Sequence, residues 1–221
     1  MLGSLVAAGL GTGCASGGES GPLLENPASV ARRLEEETGA SRPARIRFRW
    51  EYGDENGRLR GDGVARINPP DSFRLDLFTT GEGSMAVTLT ADSLATLGEI
   101  EDVRLPPPPF LYAMAGVFRP GGSASVAGHG SREDAVLEFA EPGGRRLVFF
   151  VEAGRLARLE ERSEGRVTQR IRVRWGGSGK WPQRAEYRDL VSPRRVRWTL
   201  QEEAEEPIGF PAEIYDLSRP N

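Results

Sequence analysis

The chain has 221 residues, with 29 basic and 32 acidic side chains and a net charge of -3. It is long enough to bury a real core in one β-rich domain, and so balanced a charge gives no field for gathering nucleic acid, which is not expected as a partner. Cys14 is the only cysteine and His129 the only histidine, which excludes disulfides within the chain and a multi-cysteine metal site. A Ser-His-Asp device would have to be built on His129.

Residues 1–13, MLGSLVAAGLGTG, carry no charge and only apolar or small side chains. They read as the apolar part of an export signal, and because a basic leader is missing the natural start is expected upstream of Met1. Gly11-Thr12-Gly13-Cys14 resembles a bacterial lipobox, with Gly11 in the place of the usual leucine and Leu10 one position further out. The resemblance implies that Cys14 is acylated, and each buried CH₂ of its chains contributes ~0.8 kcal/mol to membrane anchoring. Ala15 and Ser16, with no aspartate after the cysteine, resemble the sorting pattern of outer-membrane lipoproteins. Residues 14–25 then form the lipidated cysteine and a flexible linker, and 26–221 a single domain. Gly9-x-Gly11-x-Gly13 has neither a strand before it nor a helix after it and is not a dinucleotide loop.

Asn26 as a cap, Pro27 at the first position and a stop at Gly39 predict a helix over about 27–38, with Val30 and Leu34 as its buried stripe and Glu35 to Glu37 as a solvated end. From Ala44 the period becomes two: Ile46, Phe48, Trp50 and Tyr52 alternate with Arg45, Arg47, Arg49 and Glu51, a half-buried strand. Asn56-Gly57 marks a hairpin into a strand at about 58–67. Pro69-Pro70-Asp71 turns the chain into Phe73, Leu75 and Leu77, and Gly81-Glu82-Gly83 into Met85, Val87 and Leu89, with a short strand near 93–97. Further strands are predicted at about 123–128, 134–140, 146–152, 155–162, 167–175, 183–189 and 194–201, with turns at Gly143-Gly144, Ala153-Gly154 and Glu164-Gly165. The fold class is mainly β, a curved antiparallel sheet or incomplete barrel of about ten or eleven strands with one apolar and one arginine-rich face. Between its halves, the proline run Pro106 to Pro109 leads into Phe110-Leu111-Tyr112-Ala113-Met114-Ala115-Gly116-Val117-Phe118. This apolar segment is predicted as a helix over about 109–118 that crosses the mouth of the sheet.

No constellation for catalysis stands out, and no cofactor or metal is expected. Gly176-Gly177-Ser178-Gly179-Lys180 has the composition of a P-loop, but Arg174 and Trp181 stand where glycine and Ser or Thr are required, so it reads as a hairpin turn. His129 falls in a predicted polar turn. Glu99, Glu101 and Asp102 form an acidic cluster, and Glu202, Glu203, Glu205 and Glu206 read as an exposed acidic loop. The strand arginines read as the solvated face of the sheet, with phosphate or lipid head groups as the alternative.

The order of elements resembles the LolA/LolB-like periplasmic lipoprotein-carrier superfamily, over roughly residues 26–217. The segments that carry the likeness are Gly61-Asp62-Gly63-Val64-Ala65-Arg66-Ile67 with Pro69 to Leu77, and Phe110 to Pro120, which is similar to the family's helical lid. The resemblance implies a non-enzymatic half-barrel that holds acyl chains of lipoproteins or lipids, anchored at the periplasmic face of the outer membrane and receiving cargo from a periplasmic carrier protein. Phe48, Trp50, Phe73, Leu75, Met85, Val87, Phe110, Leu111, Met114, Val117 and Phe118 are the candidate cavity and lid residues. The receptor-type members expose an apolar residue in the loop after the third strand, whereas Thr79-Thr80-Gly81-Glu82-Gly83 has no large apolar side chain. A solid core behind the same residues, in a structural or sensory lipoprotein that serves as a protein-binding platform, is the alternative.

Overall fold

The computed structural model describes residues 21–38, 42–69, 72–80, 83–90, 93–100, 103–121, 125–177 and 179–217. Cys14, its leader and most of its linker, together with Glu101 and Asp102, lie outside the described residues, as does the side chain of Glu99.

The chain opens with helix α1 (Pro27–Thr38) and runs through β1 (Ala44–Gly53), β2 (Arg58–Asn68), β3 (Ser72–Thr79), β4 (Ser84–Thr90) and β5 (Ser93–Glu99). Helix α2 (Pro108–Met114) follows, then β6 (Val126–Gly130), β7 (Ala135–Ala140), β8 (Arg146–Glu152), β9 (Arg155–Ser163), β10 (Arg166–Trp175), β11 (Pro182–Asp189) and β12 (Arg194–Glu205). The strands form one sheet in the order β5-β4-β3-β2-β1-β12-β11-β10-β9-β8-β7-β6, antiparallel throughout. Because β5 and β6 do not pair with each other, the barrel is incomplete, as expected, although it holds twelve strands among the described residues and not ten or eleven. Beside β6 the open edge is covered: Leu24 donates to Gly128 and Gly130 to Pro22.

Two glycines on β2 set the curvature where the sheet bends round the core. Gly61 is paired with Trp50 and Gly63 with Phe48, so each large ring faces a neighbour without a side chain. A Cβ at Gly63 would fall 2.4 Å from the Phe48 ring, and one at Gly61 only 1.7 Å from the Phe78 carbonyl oxygen. Strands coil this tightly only where a side chain is missing, and an aromatic ring lying over the gap restores the lost burial. Trp50 Nε1 completes the arrangement by donating to the Asp62 carbonyl at 3.1 Å.

The hairpins follow their turn chemistry. Ala153-Gly154 and Glu164-Gly165 have positive φ at both residues, the two-residue geometry that matches strand twist. At the β1–β2 turn the Asp54 carboxylate accepts from the backbone N–H of Asn56 at 2.8 Å and of Gly57 at 3.1 Å, and from the Tyr52 hydroxyl at 3.1 Å. Desolvation is the largest single influence and opposes them, but these hydrogen bonds and the charge of Arg104 together hold the Asp54 carboxyl below its ordinary value.

Several boundaries differ from the sequence expectation. Helix α2 stops at Met114 because Gly116 takes φ +76° and the chain turns out of the helix there, so Val117 and Phe118 lie beyond it. In α1, Asn26 caps the helix through its side chain at 3.0 Å, but Ala31 and Leu34 form the buried stripe while Val30 is half-buried. Glu35 is half-buried and its carboxyl is pushed up by desolvation, against the pull of Arg119 and Arg32. His129 lies within β6, not in a turn, and bridges to Leu23. The acidic run is not a loop: Glu202, Glu203 and Glu205 belong to β12 and pair with the start of β1, where Arg47 reaches Glu202 at 3.2 Å. Opposite charges across the strands extend β12 past the point where its apolar alternation ends.

The C-terminal segment was not foreseen. A 3-10 turn at Ala212–Tyr215 lies on the convex side of β3 and β4. Beneath it the Asp76 carboxylate, nearly buried, is held by Arg66 and by Arg74 at 2.8 Å, and Arg74 also donates to the Ile214 carbonyl. Burial pushes the Tyr215 phenol up to about 12.

Candidate functional site

The alternation of each strand turns one row of side chains into the concavity, and these rows meet in one continuous core. The segment between β5 and β6 leaves the sheet at the rim that carries the β1–β2 turn and descends into the concavity as α2. It reaches the opposite rim at Gly116, where an added Cβ would stand 2.5 Å from the Trp175 ring and 2.8 Å from Pro182. Close approach of the backbone at that point therefore needs glycine. Helix α2 thus lies over the concave face as a lid.

All eleven residues expected to line the site are buried in the hydrophobic core. Phe48 and Trp50 from β1, Phe73 and Leu75 from β3, Met85 and Val87 from β4, Phe110, Leu111 and Met114 of α2, and Val117 and Phe118 just after it all belong to the one core, and none is more than 8% exposed; α2 itself runs closest to β9, β10 and β11. Phe73 meets Tyr112 with ring centres 5.8 Å apart, and Phe110 meets Tyr187 edge-on at 5.4 Å. Phe118 packs instead with Phe139 and Phe149 of β7 and β8. One space beneath the lid, between Trp50, Leu75, Leu77, Leu105, Leu111 and Trp198, measures about 10 Å³, room for one water at most. Among the described residues, side chains pack the concave face into one continuous core.

The lid is held by side chains. Among the described residues no backbone–backbone hydrogen bond joins Pro108–Met114 to a strand; the helix closes on itself through Phe110 and Leu111 donating to Pro107. Beyond it, Phe118 N–H donates to the Thr38 hydroxyl of α1 at 2.8 Å. The proline run explains this independence, because prolines bring no N–H with which to join a ladder.

At the rim that carries the β1–β2 turn the apolar face ends in a polar collar. Tyr187 donates to Gln169 at 2.6 Å, Gln169 to Glu161 at 3.2 Å, and Thr168 to Glu161 at 2.9 Å. Arg145 stands 3.4 Å from Glu161, and Arg194 2.8 Å from Asp189. Two carboxylates thus meet two guanidinium groups, and the collar is neutral. Burial pushes the Tyr187 phenol up to about 12, so it stays a hydrogen-bond donor at physiological pH. Among the described residues no group of three or more His, Cys, Asp or Glu side chains is placed to hold a metal ion.

Comparison with family models and with curated protein sequences finds no match. Solved structures do match. A LolA superfamily protein from Nitrosomonas europaea superposes with TM-score 0.54 at 12% identity, over 86% of this chain and 97% of that one. A putative outer membrane lipoprotein-sorting protein domain from Vibrio parahaemolyticus gives TM-score 0.55 at 6% identity, over 86% and 96% of the two chains. The fold is that of the LolA superfamily. A DUF1329 family protein from Desulfovibrio piger shares it, with TM-score 0.51 at 9% identity over 89% of this chain. At such identities the likeness is one of fold, so residue roles within this LolA fold rest on its own geometry.

Sequence reasoning found the half of the site on β1, β3 and β4 together with the lid. It missed the polar collar, and it missed Phe78, which ends the β3 alternation out of phase and is 47% exposed on the convex side beside the β3–β4 turn. The consecutive pair Leu77-Phe78 was the available signal, since adjacent strand residues point to opposite faces.

Proposed function

We propose that this LolA-fold protein is a lipid-anchored carrier or receptor that binds acyl chains of lipoproteins or lipids on its concave face by displacing α2. The observation that carries this reading is an apolar concave core covered by a helix that, among the described residues, has no backbone hydrogen bond to the sheet. Phe110, Leu111, Met114, Val117 and Phe118 each gain roughly 1.5–3 kcal/mol from burial, and an acyl chain gains ~0.8 kcal/mol per buried CH₂. A chain of about fifteen methylenes therefore offers about as much as the five lid side chains give up, and cargo can replace lid without a large net cost. Cys14 is the proposed membrane anchor, the outer membrane its proposed site, and a periplasmic carrier protein the proposed donor of cargo.

The packed concavity favours one other reading, in which α2 is permanent core and the fold is a platform for protein partners. Titration with a fluorescent fatty acid separates the two. The carrier reading expects saturable one-to-one binding that palmitate displaces, together with lipid adducts in the native mass spectrum of freshly purified protein. Absence of both would leave the platform reading.

A further inference from the structure

The convex face of the sheet carries a second cleft that is opposite in character to the first. It encloses about 600 Å³ at the end of β1 next to the β1–β2 turn. The register builds it from two rows across three strands: Arg58, Gly53 and Arg195 lie side by side, and below them Arg60, Glu51 and Arg197. Neighbouring strands are ~4.8 Å apart, so the four arginines stand on either side of a floor that Gly53 leaves bare. No steric need dictates that glycine, because a Cβ there would find its nearest neighbour at 3.5 Å.

Charge in the cleft is not balanced. Glu51 is engaged by Arg197 at 2.5 Å. Asp54 is occupied by its own turn. Glu186, the other carboxylate within reach, is shared by Arg184, Arg188, Arg195 and Arg197. Arg58 and Arg60 are exposed and among the described residues have no ion pair with a carboxylate, and the Nε of Arg195 is buried without an acceptor among them. On a chain of net charge -3 this local excess of guanidinium groups is not a by-product of overall basicity.

The geometry points to a binding site for a phosphate group in this cleft, with Arg58 and Arg60 on β2 and Arg195 and Arg197 on β12 closing on it from opposite sides. Guanidinium groups present paired N–H donors that match phosphate oxygens two at a time, and a floor without a side chain admits the group between them. A phosphate free or ester-linked in solution and the head group of an anionic phospholipid present the same oxygens to this cleft.

The test compares the full chain with the double variant Arg58→Gln/Arg60→Gln and with Gly53→Leu, which fills the floor without altering charge. Each is titrated with inorganic phosphate and mixed with vesicles of phosphatidylglycerol or of phosphatidylcholine. All three proteins share one N-terminus, so its own membrane affinity cancels in the comparison. The parent is expected to bind phosphate or to prefer phosphatidylglycerol by more than about tenfold, and both variants to lose most of that response. Phosphate binding without vesicle preference assigns a soluble ligand, and vesicle preference assigns a head group; either supports the site. A parent that shows neither response, or variants that keep the parent's response, would overturn it. Melting temperatures of the variants close to the parent's establish that a loss is local.

Discussion

Met114→Glu is expected to open the lid while leaving the sheet folded. Met114 is 1% exposed, beneath the lid, and an unpaired carboxylate held there costs several kcal/mol. Because no backbone hydrogen bond among the described residues ties α2 to the sheet, the helix escapes that cost by swinging outward, and the loss to the whole domain is capped at the free energy of opening. The variant should bind an apolar dye that the parent does not and, because α2 no longer competes for the concave face, should bind fatty acid at least about tenfold more tightly. Its global stability should fall by less than about 2 kcal/mol, where a permanent plug would lose about 3–5. The closed lid accepts the new carboxyl only when it is neutral, so its pKa is raised in the closed state. Acidification below the ordinary value of about 4.3 should therefore close the lid again and reduce dye binding. A cooperative loss of the larger size, with no dye-binding native state, would identify α2 as fixed core.

Gly61→Ala should be the most damaging single-methyl change in the sheet. The new Cβ would meet the Phe78 carbonyl oxygen at 1.7 Å and Trp50 Nε1 at 3.0 Å. Backbone cannot give way as a side-chain tip does, so β2 and β3 must separate where Gly61 faces Thr79 and Asp62 faces Phe78. The Trp50 hydrogen bond to Asp62 should fail with them. We expect a loss of at least about 3 kcal/mol and a melting temperature lower by roughly 6–12 °C for a chain of this size. Gly53→Ala, on the partner strand, is the control: its Cβ has room, and its stability should change by less than about 0.5 kcal/mol. Equal stabilities for the two variants would show that curvature does not depend on Gly61.

The strands were legible because polar, mostly arginine, and apolar residues alternate through β1, through Arg170 to Trp175 of β10 and through Arg195 to Leu200 of β12, and that pattern fixes both the period and the buried face. Candidate site residues were legible for the same reason: Phe48, Trp50, Phe73 and Leu75 lie on the apolar phase of their strands, and the lid residues follow a proline run that no ladder admits. What the pattern did not show came from tertiary contacts. The end of α2 depends on Gly116 fitting against Trp175 and Pro182, strands remote in sequence. Glu202 to Glu205 read as a loop because their partners, the arginines of β1, are about 155 residues away. The collar was hidden because Glu161, Gln169 and Asp189 are polar residues on an inward phase, and only the register of β9, β10 and β11 brings them together. Register across β1, β2 and β12 likewise built the arginine cleft, whose two rows are scattered in sequence.

Hydrogen–deuterium exchange, with and without palmitate, tests most directly the claim that α2 is a displaceable lid over an acyl-binding face. Amides of 103–118 should exchange through local opening, orders of magnitude faster than those of β1, β10 and β12, which open only with the whole domain. Palmitate should change exchange in 103–118 and along the concave face while leaving the C-terminal turn unaffected. Exchange of the α2 amides at the slow rate of the central strands, unchanged by palmitate, would contradict the account.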